Sequence, residues 1–464
     1  MRACTLAFAL AMLVAAPTQA AQPTRIAASA LTQAASLREA ALHDPTAWKV
    51  LESLTTEVGP RMAGSEGDAR AVAWAQAKFR ELGYDKVWIE PVTFPRWVRR
   101  SESLAVLGTH AQPLRITALG GSPGGTVEGE VVRFADLAAL QAAPAGSLAG
   151  KIVFVDYQMQ ATRDGSDYRN GGGIRWMGPK LALDKGAAGF LMRSAGTSTS
   201  REPHTGSGGF RPGVTALPSA ALSTIDAAQL ARLVALGPTR VHLALDCGYD
   251  GEATSYNVIG EITGSARPNE IVLIGGHLDS WDPGTGAIDD AAGIAITMAT
   301  GALLKPLHPA RTIRVVAFAN EEQGLWGGKA YAERHANEVA RTVMAIESDL
   351  GAAPIYGFDS SARALQPQAL AQIQQVLAPL GIAWMPEQGE PESDIGPMTE
   401  AGVAWAWLGH DATHYFDLHH SADDTLDKIV PSELAQNTAA YAVFTWLAAQ
   451  ADGGFGSAVK AASK

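Results

Sequence analysis

Three near-continuous apolar runs stand out in the second half of the chain: Ile271–Gly275, Thr312–Phe318 and Val343–Ile346, with a fourth at Ala404–Leu408. Unbroken, β-branched runs of this length suit strands covered on both faces of a sheet. Between them, Gly293–Leu304 and Gly328–Glu338 have helical character, as do Ala364–Leu377 and Pro431–Ala449. Strand–helix alternation predicts an α/β layer fold. Upstream, positions 71, 74, 75, 78, 79 and 82 recur at helical spacing, which predicts a helix over Glu66–Leu82 with Ser65 as its cap and Gly83 as its stop. A short helix is expected at Trp48–Leu54, a turn at Val58-Gly59-Pro60-Arg61 and a strand at Lys86–Phe94. Residues 21–47 are alanine-rich and read as a loosely attached helix or tail.

The texture changes between 115 and 250. Gly and Pro become frequent, and the apolar runs shorten to Val127–Phe134, Lys151–Asp156, Gly189–Arg193 and Val241–Leu245. A brief helix fits Pro179–Lys185, and the Gly/Ser/Thr stretch 194–215 reads as a mobile loop. This pattern predicts a separate, β-rich inserted domain over 115–250, flanked by two parts of one larger domain, 21–114 and 251–464.

Residues 1–20 are excluded from that fold. Arg2, the apolar run Leu6–Ala16 and the small residues after Pro17 form the pattern of a secretory signal peptide. The expected location is therefore secreted or periplasmic. No later stretch is expected to reach membrane length. The formal net charge is −11, and loss of Arg2 makes it one unit more negative. Such a chain is a poor partner for nucleic acid or an anionic membrane. Of the 2 cysteines, only Cys247 lies outside the leader. An internal disulfide and a cysteine-rich zinc site are thereby excluded, and any metal must be held by His and carboxylates.

The chemistry clusters after the buried runs. Gly276-His277-Leu278-Asp279 follows the first, Ala319-Asn320-Glu321-Glu322 the second, and Glu347-Ser348-Asp349 the third. In open α/β sheets, ligands bind at that edge. His277 offers an imidazole to a divalent ion, and Asp279, two residues on, lies on the same side and can orient that ring. Within the Gly284–Gly293 loop, Asp289-Asp290 supplies a carboxylate able to bridge two ions. Glu321 and Glu322 need different roles, one as a ligand and the other as a proton acceptor. Asp349 adds an oxygen ligand, and the His419-His420-Ser421 region adds a second imidazole. A single strand-end acid is usually a solvated cap; it is the joint pattern that points to a metal centre. His410, His414 and His419 are read as loop or supporting histidines, His204 as a surface residue, and Trp405 and Trp407 as core or pocket-wall residues.

Taken together, Gly276-His277-Leu278-Asp279-Ser280, Gly286-Ala287-Ile288-Asp289-Asp290, Asn320-Glu321-Glu322-Gln323-Gly324, Glu347-Ser348-Asp349 and His420-Ser421-Ala422-Asp423-Asp424-Thr425 resemble the M28 zinc peptidases, nearest to the carboxypeptidase Q group. Ser393-Asp394-Ile395 and Tyr415-Phe416 fit the same branch. The resemblance implies a mixed-sheet, three-layer zinc-exopeptidase (phosphorylase/hydrolase-like) fold with a protease-associated insert. It implies two zinc ions, or other divalent metals in their place. His277, Asp289 and Asp349 would hold one ion; Asp289, Glu322 and His420 would hold the other. Glu321 would be the general base, Asp279 the supporting acid, and the Asp289–Asp290 peptide bond cis. The implied substrates are dipeptides or short peptides, and a homodimer is implied as well. Ala291-Ala292 departs from the family, which often has glycines there, without loss of a ligand. The aminopeptidase, carboxypeptidase or dipeptidase direction stays open. The rival readings are a mono-zinc glutaminyl-cyclase-like acyltransferase, a non-catalytic receptor on the same fold, and a metal-dependent amidase.

Overall fold

The computed structural model describes residues 23–456. The expected signal peptide, 1–20, lies outside the described residues. In chain order, the elements that matter here are α1 (Ala28–Ala41), α2 (Glu66–Glu81), β1 (Lys86–Val106), β2 (Gly125–Phe134), β3 (Ile152–Val155), α3 (Tyr168–Asp184), β4 (Gly189–Arg193), β5 (Ser219–Leu222), β6 (Arg240–Ile262), β7 (Arg267–His277), α4 (Ala292–Leu304), β8 (Arg311–Phe318), β9 (Thr342–Glu347), β10 (Ile355–Ser360), β11 (Trp405–His410) and α5 (Pro431–Gln450).

The sheet is mixed. β7, β8, β9 and β11 are linked by parallel pairings, whereas β6 joins β8 antiparallel and β10 joins β11 antiparallel. Side chains alternate as a pleat requires. Val272 and Ile274 of β7 join the large core under α1, α4 and α5, while Ile271 and Leu273 face a second core with Phe318, Tyr331 and Met398. Both faces are thus covered, which explains why these strands read as unbroken apolar runs. At the start of α2, the Ser65 side chain accepts from the Asp68 N–H, as the sequence predicts.

Two strands are far longer than their apolar cores suggest. β1 was expected over Lys86–Phe94 and extends to Val106; β6 runs from Arg240 to Ile262. They pair antiparallel from Lys86↔Glu261 to Val106↔Val241 and carry the chain from the main sheet to a second strand group. There, β2, β3, β4 and β5 pair parallel in sequence over their own apolar clusters. The expected helix Pro179–Lys185 is the end of a longer one, α3, with Pro179 inside it.

Four expectations are corrected. The described part of 21–47, from residue 23 on, is not a loose tail: α1 buries Ala30, Ala34, Leu37 and Ala41, and Trp446 Nε1 donates to the Ala30 carbonyl at 3.1 Å. Alanines permit this close helix–helix approach, a property that composition alone reads equally well as low complexity. The stretch 194–215 is tied down, since Thr205 Oγ1 donates to the Ala118 carbonyl at 2.9 Å and the Thr205 N–H to that of His420 at 2.9 Å. His204 within it is buried at 1% exposure, not superficial. Finally, one stretch does reach membrane length: Ala287–Leu307 has mean hydropathy 1.4 over its best window, but 89% of that window is buried inside the molecule, as a core helix.

Candidate metal centre

Strand register brings the chemistry together. Phe318 of β8 stands opposite His277 of β7, and Glu347 of β9 opposite Gly275. The three parallel strands therefore end at one edge. The residues just past them, Glu321, Glu322 and Asp349, converge on His277. A fourth contribution follows β11, parallel to β9, where a 3₁₀ turn at Ala412–Asp417 leads to His419 and His420. Asn320 (φ 52°) and His420 (φ 62°) both adopt left-handed backbone, a conformation that costs energy in non-glycine residues and gathers at functional sites.

The four other expected ligands gather around Asp289, and Glu321 lines the same cavity. His277 Nε2 lies 3.0 Å from Asp289 Oδ1 and 3.3 Å from Asp349 Oδ1. His420 Nε2 lies 3.2 Å from Asp289 Oδ2 and 2.9 Å from Glu322 Oε2. One carboxylate thus faces an imidazole on each side, and the Asp289–Asp290 peptide bond is cis. Asp290 turns away: its carboxylate accepts from the His277 and Gly293 N–H groups at 3.1 and 2.9 Å. Gly293 is required there, because a Cβ would fall 2.4 Å from both Asp290 oxygens.

Asp279 behaves differently from expectation. Its backbone carbonyl, 3.0 Å from His277 Nδ1, is the nearer partner of the imidazole, while its carboxylate oxygen stands at 3.7 Å. That carboxylate accepts instead from the Glu321 N–H at 3.0 Å, so it positions the Glu321 backbone. Glu321 itself lines a cavity of about 400 Å³ with Asp289, Glu322, Asp349, His419 and His420. His419 stacks on His420 at 3.5 Å between centroids, and its Nε2 lies 3.6 Å from Asp289 Oδ2. His410 is buried elsewhere, and His414 is exposed beside Asp417.

The electrostatics call for cations. Burial, then the charge of Asp349, raises the Glu321 carboxyl well above the usual range. Burial likewise raises Asp349 and Glu322. Burial pulls the His277 imidazole down, but Asp349 and the hydrogen bonds to nearby carboxylates outweigh it and hold the group high. A divalent ion relieves this crowding of acids. Asp289 Oδ2 and Glu322 Oε1 are moreover buried without a hydrogen-bond partner among the described residues. Donor atoms bound to one tetrahedral zinc at ~2.0–2.1 Å sit about 3.3 Å apart. The spacings around Asp289 match that figure, so the residues fit zinc.

Residues 257–445 match the family described as Peptidase family M28. Carboxypeptidase Q of Xenopus laevis is 34% identical over 375 residues, which are 80% of this chain and 78% of that protein. The chain belongs to peptidase family M28. The solved structure of a Peptidase M28 precursor from Shewanella amazonensis is 45% identical, with a TM-score of 0.87, over 90% of this chain and 96% of that one. A zinc aminopeptidase from Bacillus subtilis shares the fold at 19% identity and TM-score 0.63, over 86% of this chain and 94% of that one. This M28 protein is therefore a metallopeptidase, related to carboxypeptidase Q.

Several residues of the M28 site carried no readable signal. Trp281 Nε1 donates to Glu322 Oε2 at 2.6 Å and fixes that carboxylate. Arg61, fully buried, donates to the carbonyls of Leu278, Thr285 and Gly286 at 2.5, 2.6 and 2.9 Å and pins the loop that carries Asp289. Burial lowers its guanidinium, against the pull of Asp424 and Asp279. The only sequence hint of Arg61 was the Gly59-Pro60 turn before it.

Proposed function

We propose that this M28 metallopeptidase is an exported di-zinc exopeptidase that hydrolyses dipeptides or short peptides. The observation that carries the reading is the placement of Asp289, with one oxygen toward His277, which Asp349 also approaches, and the other toward His420. His277, Asp289 and Asp349 would hold one ion, and Asp289, Glu322 and His420 the other. When bound, the ions supply Lewis acidity to the peptide carbonyl and bring the pKa of water toward neutrality. Glu321, which lines the cavity beside the ligand set, would take a proton from the attacking water and return it to the leaving amine. Asp279 holds the Glu321 backbone for that task. Trp281 holds the Glu322 carboxylate in place by its hydrogen bond. Residues 115–250 are read as a protease-associated insert whose loop 194–215 closes one side of the cavity. Export rests on the leader-like pattern of residues 1–20.

Metal removal tests the reading. Dialysis against a chelator is expected to lower alanyl-alanine hydrolysis at least about a hundredfold, with recovery on addition of zinc. Hydrolysis that survives complete demetallation would overturn the proposal. So would cyclised product from an N-terminal glutaminyl peptide, which would point to the acyltransferase rival.

A further inference from the structure

One wall of the cavity carries a buried cation with no carboxylate among its hydrogen-bond partners. Arg175 of α3 is 6% exposed. Its Nε donates to the Ser207 carbonyl at 2.9 Å, and Nη1 donates to the Thr205 carbonyl at 3.2 Å and lies 3.5 Å from His420 Nδ1. Nη2 donates to the Tyr168 hydroxyl at 2.6 Å. Every hydrogen-bond partner is neutral in charge or an imidazole; none among the described residues is a carboxylate. A guanidinium has five N–H donors, and these contacts occupy four at most, so Nη2 keeps one free. The backbone of Gly206 packs hard against the group, since a Cβ there would fall 2.3 Å from Nη1 and 2.6 Å from His420 Nδ1. The guanidinium is thus held rigidly at the cavity edge. A buried charge without a counter-charge is costly, which suits a site whose counter-ion arrives with the ligand.

Glu392 lines the same space, where burial and then the charge of Asp349 push its carboxyl up to about 8. Arg175 sits beside His420, whereas Asp349 sits beside His277. Among the described residues that line the cavity, Arg175 is the one arginine or lysine, so a free carboxylate is attracted on the His420 side. The guanidinium fork matches a carboxylate in shape as well as charge. A volume of about 400 Å³ admits a ligand of dipeptide size.

We propose that Arg175 grips the free α-carboxylate of the substrate on the leaving side of the scissile bond, so that cleavage occurs one residue from a free C terminus. This rests on the peptidase reading above and gives it a direction. Arg175 is then a specificity residue donated by the 115–250 segment.

The test compares alanyl-alanine with its C-terminal amide, which share the same ammonium. Both are titrated by calorimetry into zinc-loaded Glu321→Gln protein, so that binding is read without turnover. The acid is expected to bind about 10–100-fold more tightly than the amide, the range set by a charge-assisted hydrogen bond. Adding Arg175→Gln is expected to remove that preference while changing amide affinity less than about threefold, a split that a purely structural role would not produce. Equal affinity for acid and amide before the Arg175 change would overturn the proposal. So would a preference that survives Arg175→Gln, or an equal loss for both ligands. If Arg175→Gln does not fold, Arg175→Lys is expected to narrow the preference several-fold, and an unchanged preference overturns the proposal. Hydrolysis by the unsubstituted enzyme is followed separately: its absence sinks the peptidase reading, whereas an unselective C terminus sinks only the role of Arg175.

Discussion

An Asp289→Asn enzyme is expected to retain less than half of the normal zinc content and to lose about a thousandfold or more in kcat/KM. The reason lies in its two oxygens. Oδ1 is 3.0 Å from His277 Nε2 and Oδ2 is 3.2 Å from His420 Nε2, so the same side chain serves both halves of the centre. An amide offers one oxygen and one N–H group, and the N–H end cannot ligate a cation. Loss of charge also removes the bridge between two ions. Metal analysis of the purified variant, alongside dipeptide kinetics, reads both effects. A variant that kept its full metal complement would remove Asp289 from the bridging position. Asp290 provides a contrast, because its oxygens are spent on the backbone of His277 and Gly293.

Glu321→Gln is expected to lower kcat by about 10²–10⁴ while leaving KM and metal content close to those of the parent enzyme. Glu321 lines the cavity, yet its side chain has none of the short contacts to the imidazoles that Glu322 and Asp349 make. Its loss should spare the ligand shell and remove only proton transfer. Glutamine keeps size and shape, so packing is not the variable. If the variant lost zinc together with activity, Glu321 would be a ligand; if it stayed active, another group would carry the proton. The two neighbouring glutamates would then exchange roles, since Glu322→Gln is the change that should empty a site.

The contrast between what was and was not legible in the chain follows from range. His277, Glu321, Glu322 and Asp349 were legible because each sits at or within four residues of the end of a strand buried on both faces, and parallel pairing of three such strands forces their ends together. Asp289 and His420 sit on loops, and the motif around each carried them. Arg61 carried only the signal of the turn it closes, and Arg175 carried no local signal. Their partners lie 217 and 245 residues away, as Leu278 and His420 respectively, and no periodicity reports a contact of that kind. The stretch 194–215 misled for a related reason. Gly, Ser and Thr suit a mobile loop, but the same small polar groups also satisfy backbone carbonyls when a loop is buried, as Thr205 does. For α1, alanine spacing allowed a helix but did not reveal the packing face, because alanines stand on all sides of it. The lengths of β1 and β6 were hidden by their exposed middle sections, where charged and polar residues such as Arg96, Glu252 and Asp250 interrupt the apolar pattern.

The most direct check is a crystal of zinc-loaded protein measured on both sides of the zinc absorption edge. Two anomalous peaks are expected, one among His277, Asp289 and Asp349 and one among Asp289, Glu322 and His420, with the aspartate between them. A single peak, or none within reach of Asp289, would contradict the two-ion centre.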